Sequence, residues 1–267
     1  MISAHPLLET RLANGVVVSF RQSRGAGTGC VVLLHGIGSN SASWAAQLAQ
    51  GLNAGRVLAW DAPGYGASSA LAALRPSAQD YAQVLWAWLD ELGIAQVHLA
   101  GHSLGCIMAA RAAALQPERV QSLTLLSPAL GYARASEADR EAKRAQRLDA
   151  LATLGPQGMA DKRSGAMLSD AATPAQQGAV RRLMGSIDPF GYTQAVHLLM
   201  DADVQADVAR ISQVKTRVAC GAADAITPPE QSAAFAAQFG LAYEQIAGAG
   251  HALAIEAPVA VNEYLSL

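Results

Sequence analysis

Val97-His98-Leu99-Ala100-Gly101-His102-Ser103-Leu104-Gly105-Cys106-Ile107-Met108 is the stretch from which the rest of the chain can be read. A short apolar run, Val97 to Ala100, enters the turn Gly101 to Gly105, and a run of helical period, Leu104 to Leu115, leaves it. Gly-x-Ser-x-Gly at a strand-to-helix turn is a nucleophile elbow: two glycines leave room for a tight, strained backbone that pushes the serine hydroxyl out above the sheet. A glycine-bearing turn with a helix-capping serine uses the same letters, and it is the strand before and the helix after that select the elbow.

Working outward, further short apolar stretches run from Val16 to Phe20, Cys30 to Leu34, Val57 to Trp60, Leu123 to Leu126 and Val218 to Cys220, with a last strand expected at Leu241 to Ile246. They alternate with helical segments such as Ala42 to Leu52 and Ala78 to Leu92. The second of these carries Tyr81, Leu85, Trp88 and Leu92 as a core stripe. Strands alternating with helices imply right-handed crossovers and a mostly parallel sheet, and continuous apolar strands imply burial on both faces. The fold class is α/β.

The alternation lapses between about Gly131 and Arg210, where every segment reads helical and Gly155, Pro156, Gly165, Pro174 and Pro189 mark the breaks. We therefore divide the chain into an α/β core, residues 1–130 and 211–267, and a helical cap, residues 131–210, over the sheet's carboxyl edge, where such folds bind ligands. Nine basic side chains stand against six acids between residues 134 and 182. This is the composition of a solvated, ion-paired helix face, or of a lid in which one or two arginines anchor a substrate carboxylate.

Composition excludes several classes. With 267 residues, 51% apolar and 15% charged, the chain can bury a large core and is not disordered. A net charge of −2 argues against a nucleic-acid partner. No leader is visible in Met1 to Pro6 and no apolar run is long enough to span a membrane, so a cytoplasmic protein is expected. Cys30, Cys106 and Cys220 sit in apolar runs without metal-ligand spacing and read as buried hydrophobes. No metal and no cofactor are expected: Gly25, Gly27 and Gly29 precede a strand, whereas a dinucleotide loop follows one.

A serine hydroxyl needs a general base, itself oriented by a carboxylate, so the elbow predicts an acid and a histidine further along. Asp224 lies in Gly221-Ala222-Ala223-Asp224-Ala225-Ile226-Thr227-Pro228, just beyond a strand, and His251 lies in Gly248-Ala249-Gly250-His251, after the last one. The other five histidines are placed elsewhere: His5 near the start, His35 in a loop, His98 in a strand, His102 packing the elbow, and His197 in the cap. His35-Gly36-Ile37-Gly38-Ser39-Asn40 follows the strand Cys30 to Leu34, and such a turn supplies one oxyanion-hole N–H, from Ile37, while Leu104 supplies the other.

These landmarks, with Asp61-Ala62-Pro63-Gly64-Tyr65-Gly66-Ala67-Ser68 after another strand, resemble the α/β-hydrolase superfamily over essentially the whole chain. The resemblance implies an eight-stranded sheet flanked by helices under a helical cap, and an acyl-enzyme mechanism. Ser103 would attack a carbonyl, His251 relay its proton and Asp224 orient the imidazole. Serine at the elbow departs from the haloalkane dehalogenases and epoxide hydrolases, which use a carboxylate. Within the capped serine branch the chain resembles 3-oxoadipate enol-lactonases and meta-cleavage product hydrolases of aromatic breakdown. The second group carries Gly-Pro-Gly in the oxyanion loop and Trp after the histidine, where this chain has Gly38-Ser39-Asn40 and Ala252.

The expected activity is therefore hydrolysis of a small carboxylic ester or enol-lactone, one that carries a carboxylate where a lid arginine binds it. Carbon-carbon bond hydrolysis of a ring-fission product is the alternative on the same machinery. A non-catalytic ligand receptor on the same scaffold is the alternative from another class. The partner expected is a small-molecule substrate, and the oligomeric state is left open. Trp44, Leu130, Tyr132, Phe190 and His197 are the expected substrate contacts, with Met159, Met167 and Met200 as further candidates.

Overall fold

A computed structural model describes residues 4–266, so the reading of Met1 to Pro6 falls partly outside the described residues. The chain runs β1 (Leu8–Arg11), β2 (Val17–Arg24), β3 (Cys30–Leu34), α1 (Ala45–Gln50), β4 (Arg56–Trp60), α2 (Ala78–Glu91), β5 (Val97–His102), α3 (Leu104–Leu115) and β6 (Val120–Leu126). Then come α4 (Glu137–Arg163), α5 (Pro174–Gly185), α6 (Pro189–Asp201) and α7 (Val204–Val208). The chain closes with β7 (Lys215–Gly221), α8 (Pro229–Phe239), β8 (Ala242–Ile246), α9 (Leu253–Glu256) and α10 (Pro258–Leu265).

The eight strands form one sheet in the order β1-β2-β4-β3-β5-β6-β7-β8. β2 runs antiparallel to both β1 and β4, and every pair from β4 through β8 is parallel. The chain steps from β3 outward to β4 and then back across to β5, so the strand order reverses at β3, the crevice where open α/β sheets take ligands. Register aligns the carboxyl ends there: Leu34 lies opposite Gly101, His102 opposite Leu126, and Leu126 opposite Ala219.

Successive side chains of a strand alternate between faces, which sorts β3 into two cores. Val32 and Leu34 join α2, α3 and the helices after β6 on one face, while Val31 and Leu33 join α1, α9 and α10 on the other. Each such side chain, fully buried, contributes about 1.5–3 kcal/mol.

Three elements differ from their sequence expectation. β1 alternates half-buried and exposed residues at the sheet edge, so it carries no apolar run to reveal it. β2 continues through Arg21 to Arg24, polar residues that its register with β4 holds in place. The helix expected over Ala42 to Leu52 is a 3-10 turn (Ser41–Trp44), then α1, then a second 3-10 turn (Gly51–Asn53), because Gly51 at φ 72° and Leu52 at φ 51° leave the helical region.

Candidate active site

Ser103 sits between β5 and α3 with φ 53° and ψ −116°, a backbone conformation that costs an ordinary residue about 1–3 kcal/mol. Its surroundings impose it. Ser103 N–H donates to the Leu126 carbonyl (2.9 Å), and the Ser103 carbonyl accepts from Cys106 N–H (3.0 Å) and Ala129 N–H (3.3 Å). The two glycines of the turn are required by close approach. A Cβ on Gly101 would lie 2.5 Å from the Gly105 carbonyl, and one on Gly105 would lie 2.1 Å from the Leu34 carbonyl of β3.

Beyond β7, Asp224 is held as an ionised acceptor. Its Oδ1 accepts from the N–H groups of Ile226 (2.8 Å) and Thr227 (2.9 Å), and its Oδ2 lies 2.9 Å from His251 Nδ1. Burial works to raise its pKa, but the hydrogen bond and charge of His251 and the Thr227 N–H outweigh this and hold the carboxyl below the usual carboxylate range. A proton on Nδ1 facing the carboxylate leaves Nε2 of His251 unprotonated, the tautomer a general base needs. Asp224 and His251 are both buried. Ser103 and His251 line one cavity of about 450 Å³ at the carboxyl edge of the sheet.

Ile37 and Leu104 line the same cavity. Among the described residues no backbone hydrogen bond takes the N–H of either one, and Leu104 is the first residue of α3, where helix N–H groups lack an intrahelical acceptor. The loop bearing Ile37 is fixed from two sides. His35 Nε2 accepts from Ala62 N–H (3.0 Å) while its Nδ1–H donates to the Gly36 carbonyl (2.9 Å), and Tyr65 donates its hydroxyl to the Ile37 carbonyl (2.9 Å). Burial lowers the pKa of His35 and keeps the ring neutral. His102, next to Ser103, donates Nε2–H to the His251 carbonyl (2.7 Å), and burial together with the neighbouring His251 pushes its pKa down to about 3.

Of the other expected contacts, Leu130, Tyr132, Met159 and Met167 line the cavity. Phe190, His197 and Met200 do not. Phe190 and His197 lie seven residues apart on one face of α6, whereas Tyr192 and Leu199, two residues further along and thus about half a turn round the helix, take the face that meets the cavity. Phe190 is exposed and His197 is buried away from the site. Met200 is core. Trp44 lies behind the Ile37 loop, where it borders a separate hollow of about 30 Å³ with Ser39 and His102.

Several residues have roles that the sequence reading did not single out. Thr227 Oγ1 stands 2.9 Å from Asp224 Oδ2, 3.1 Å from the Ser127 carbonyl and 3.2 Å from His251 Nδ1. Glu256 ties the His251 loop to the segment after α4, accepting from Gly250 N–H (2.8 Å) on one oxygen and from Ser169 N–H (2.8 Å) and its hydroxyl (2.7 Å) on the other. Ala252 N–H donates to the Met167 carbonyl (2.8 Å) beside it. No spacing rule marks these residues: Thr227 sits in the Asp224 loop itself but takes its place from Ser127 and His251 as well, and Glu256 joins segments far apart in the chain. Among the described residues, no group of three His, Cys, Asp or Glu is placed to hold a metal, and no helix is long and apolar enough to cross a membrane.

Known proteins resemble this architecture. A stretch of 105 residues is 39% identical to the dihydrolipoyllysine-residue acetyltransferase component of the acetoin cleaving system of Pseudomonas putida, 39% of this chain and 28% of that protein. A stretch of 111 residues is 39% identical to a 2-hydroxy-6-oxononadienedioate/2-hydroxy-6-oxononatrienedioate hydrolase of Paraburkholderia phymatum, 40% of this chain and 38% of that one. The chain thus spans well under half the length of these relatives. The crystal structure of the enol-lactonase from Burkholderia xenovorans LB400 superposes with a TM-score of 0.84 over 97% of this chain and 98% of that one, at 22% identity, a likeness of fold. The family model of the alpha/beta hydrolase fold matches residues 29–258, which takes in the elbow, the Asp224 loop and His251 alike, and the chain belongs to that family.

Proposed function

We propose that the protein is a serine hydrolase that cleaves a small carboxylic ester or enol-lactone through an acyl-enzyme on Ser103. The observation that carries this reading is a buried Asp224–His251 hydrogen bond (2.9 Å) whose histidine lines one cavity together with the strained Ser103. His251 Nε2 takes the hydroxyl proton as Ser103 Oγ adds to the carbonyl carbon, and Asp224 stabilises the imidazolium that results. The N–H groups of Ile37 and Leu104 receive the negative charge that develops on the carbonyl oxygen, each worth on the order of 3 kcal/mol. Collapse of the tetrahedral species passes the proton from Nε2 to the leaving oxygen. Water, deprotonated by the same nitrogen, then adds to the acyl carbon and releases the acid and Ser103. In a lactone the leaving oxygen stays on the acyl chain and departs with it.

Carbon-carbon bond hydrolysis of a ring-fission product is the second reading, favoured by the activity for which the Paraburkholderia relative is named. Short acyl esters, enol-lactones and coloured dienolate ring-fission products assayed side by side separate the two, since only the carbon-carbon enzyme bleaches the dienolate. For either, Ser103→Ala is expected to leave the fold intact and to lower kcat by about three orders of magnitude or more. Undiminished turnover by that variant refutes both, and failure of an active-site phosphonate to label the wild-type protein returns the receptor reading.

A further inference from the structure

Of the nine basic side chains between residues 134 and 182, four are spent on ion pairs. Arg134 meets Asp203 (2.9 Å), Arg140 and Arg144 meet Asp201 (4.0 and 2.7 Å), and Arg181 meets Asp161 (2.6 Å). A fifth, Lys143, lies over the Tyr132 ring at 5.1 Å. Arg147, Lys162 and Arg163 form no ion pair among the described residues, and all three line the cavity that holds Ser103. Among the described residues no acidic side chain lines it.

The backbone of α4 explains how residues so far apart in sequence share one cavity. In a straight helix Arg147 and Lys162 would stand roughly 22 Å apart along the axis. α4 is not straight: Gly155 takes φ 60° and ψ 177°, a conformation open to glycine alone, and Pro156 follows it. Helical geometry ends at Gly155 and restarts beyond it, so the two limbs of α4 both reach the cavity, Arg147 from the first and Lys162 and Arg163 from the second. Three cations collected in one cavity, none of them paired with a carboxylate among the described residues, form a site for an external anion.

Resting on the hydrolase reading above, we infer that the cavity selects by charge. The ester or lactone it takes bears a carboxylate away from the scissile carbonyl, held between Arg147 on one limb of α4 and Lys162 and Arg163 on the other. The core side of the cavity supplies the nucleophile and oxyanion donors and the lid supplies the cations, so the reacting and recognised ends of the substrate are different groups.

The test uses the full chain and two pairs of chromogenic esters at low ionic strength. One pair is an aryl monoester of glutaric acid and its methyl-capped diester, with the charge in the acyl part. The other is an acetate ester of a hydroxybenzoate and its methyl ester, with the charge in the leaving group. In at least one pair the free acid is expected to have a kcat/KM about tenfold or more above its neutral partner, and Arg147→Gln/Arg163→Gln is expected to erase that ratio. Arg182→Gln, which removes a cation outside the cavity, keeps it. A ratio at or below one in both pairs, or one that survives the double variant, overturns the inference. If no ester of either pair is turned over, the ester part of the hydrolase reading fails separately, while phosphonate labelling of Ser103 still decides whether the site is a hydrolase. Calorimetry of glutarate against dimethyl glutarate then decides the anion site alone: glutarate binding that depends on Arg147 and Arg163 upholds it, and equal or absent binding rejects it.

Discussion

At the scale of single residues, the site is a set of buried polar groups whose partners are already in place. Thr227 is the most telling of them. Its hydroxyl lies within reach of Asp224 Oδ2, the Ser127 carbonyl and His251 Nδ1, so it steadies the carboxylate and the ring together. Thr227→Val keeps the shape and leaves buried acceptors short of a donor, a loss of about 1–3 kcal/mol. We expect kcat/KM to fall about tenfold or more in steady-state assays, with Thr227→Ser restoring most of it. Wild-type kinetics in the valine variant would remove Thr227 from the machinery.

At the scale of elements, two glycines bend the chain for different reasons, and substitution separates them. Gly105 is crowded: its Cβ would meet the β3 backbone at 2.1 Å, so α3 can enter the elbow only if that position is bare. Gly155 is uncrowded, with nothing within 4 Å of its Cβ position, and it is needed for its torsion angles alone. Gly155→Ala is therefore expected to cost about 1–3 kcal/mol in thermal unfolding while the sheet stays folded. Gly105→Ala is expected to cost more, since backbone must move, and to abolish phosphonate labelling as well. A Gly105→Ala protein as stable as wild type contradicts the packing just described. The break at Gly155 also sets where Arg147 stands relative to Lys162 and Arg163, so the alanine variant should disturb anion preference before it disturbs the core.

At the scale of the whole molecule, the carboxyl edge of the sheet buries three imidazoles, those of His35, His102 and His251. Burial lowers the pKa of His35 and takes that of His102 down to about 3, whereas an unfolded imidazole titrates near 6.5. Between these values the unfolded chain binds protons that the folded chain refuses, so the stabilisation is complete above about 6.5 and is lost as pH falls toward 3. Denaturant unfolding across that window should show stability dropping with acidity, and His102→Gln, which keeps a donor for the His251 carbonyl, should flatten the slope. An unchanged slope would assign the acid sensitivity to other groups.

The order of strands and helices, and the placing of Ser103, Asp224 and His251 at the carboxyl edge of the sheet, were legible because each is a local pattern: continuous apolar runs and runs of period 3.6 broken by glycine, and a polar residue just past a strand end. The edge strand β1, half exposed, left no such pattern. Nor did Thr227 and Glu256, whose importance comes from partners on other loops. The sequence by itself showed that residues 134–182 hold more cations than acids. Only the tertiary structure decided that Arg134, Arg140, Arg144 and Arg181 are neutralised while Arg147, Lys162 and Arg163 face the cavity, and that α6 presents Tyr192 and Leu199 to it in place of Phe190 and His197. The physical reason is one of range: backbone patterning acts between near neighbours in the chain, whereas ion pairing and the choice of helix face depend on which distant surfaces the folded core brings together.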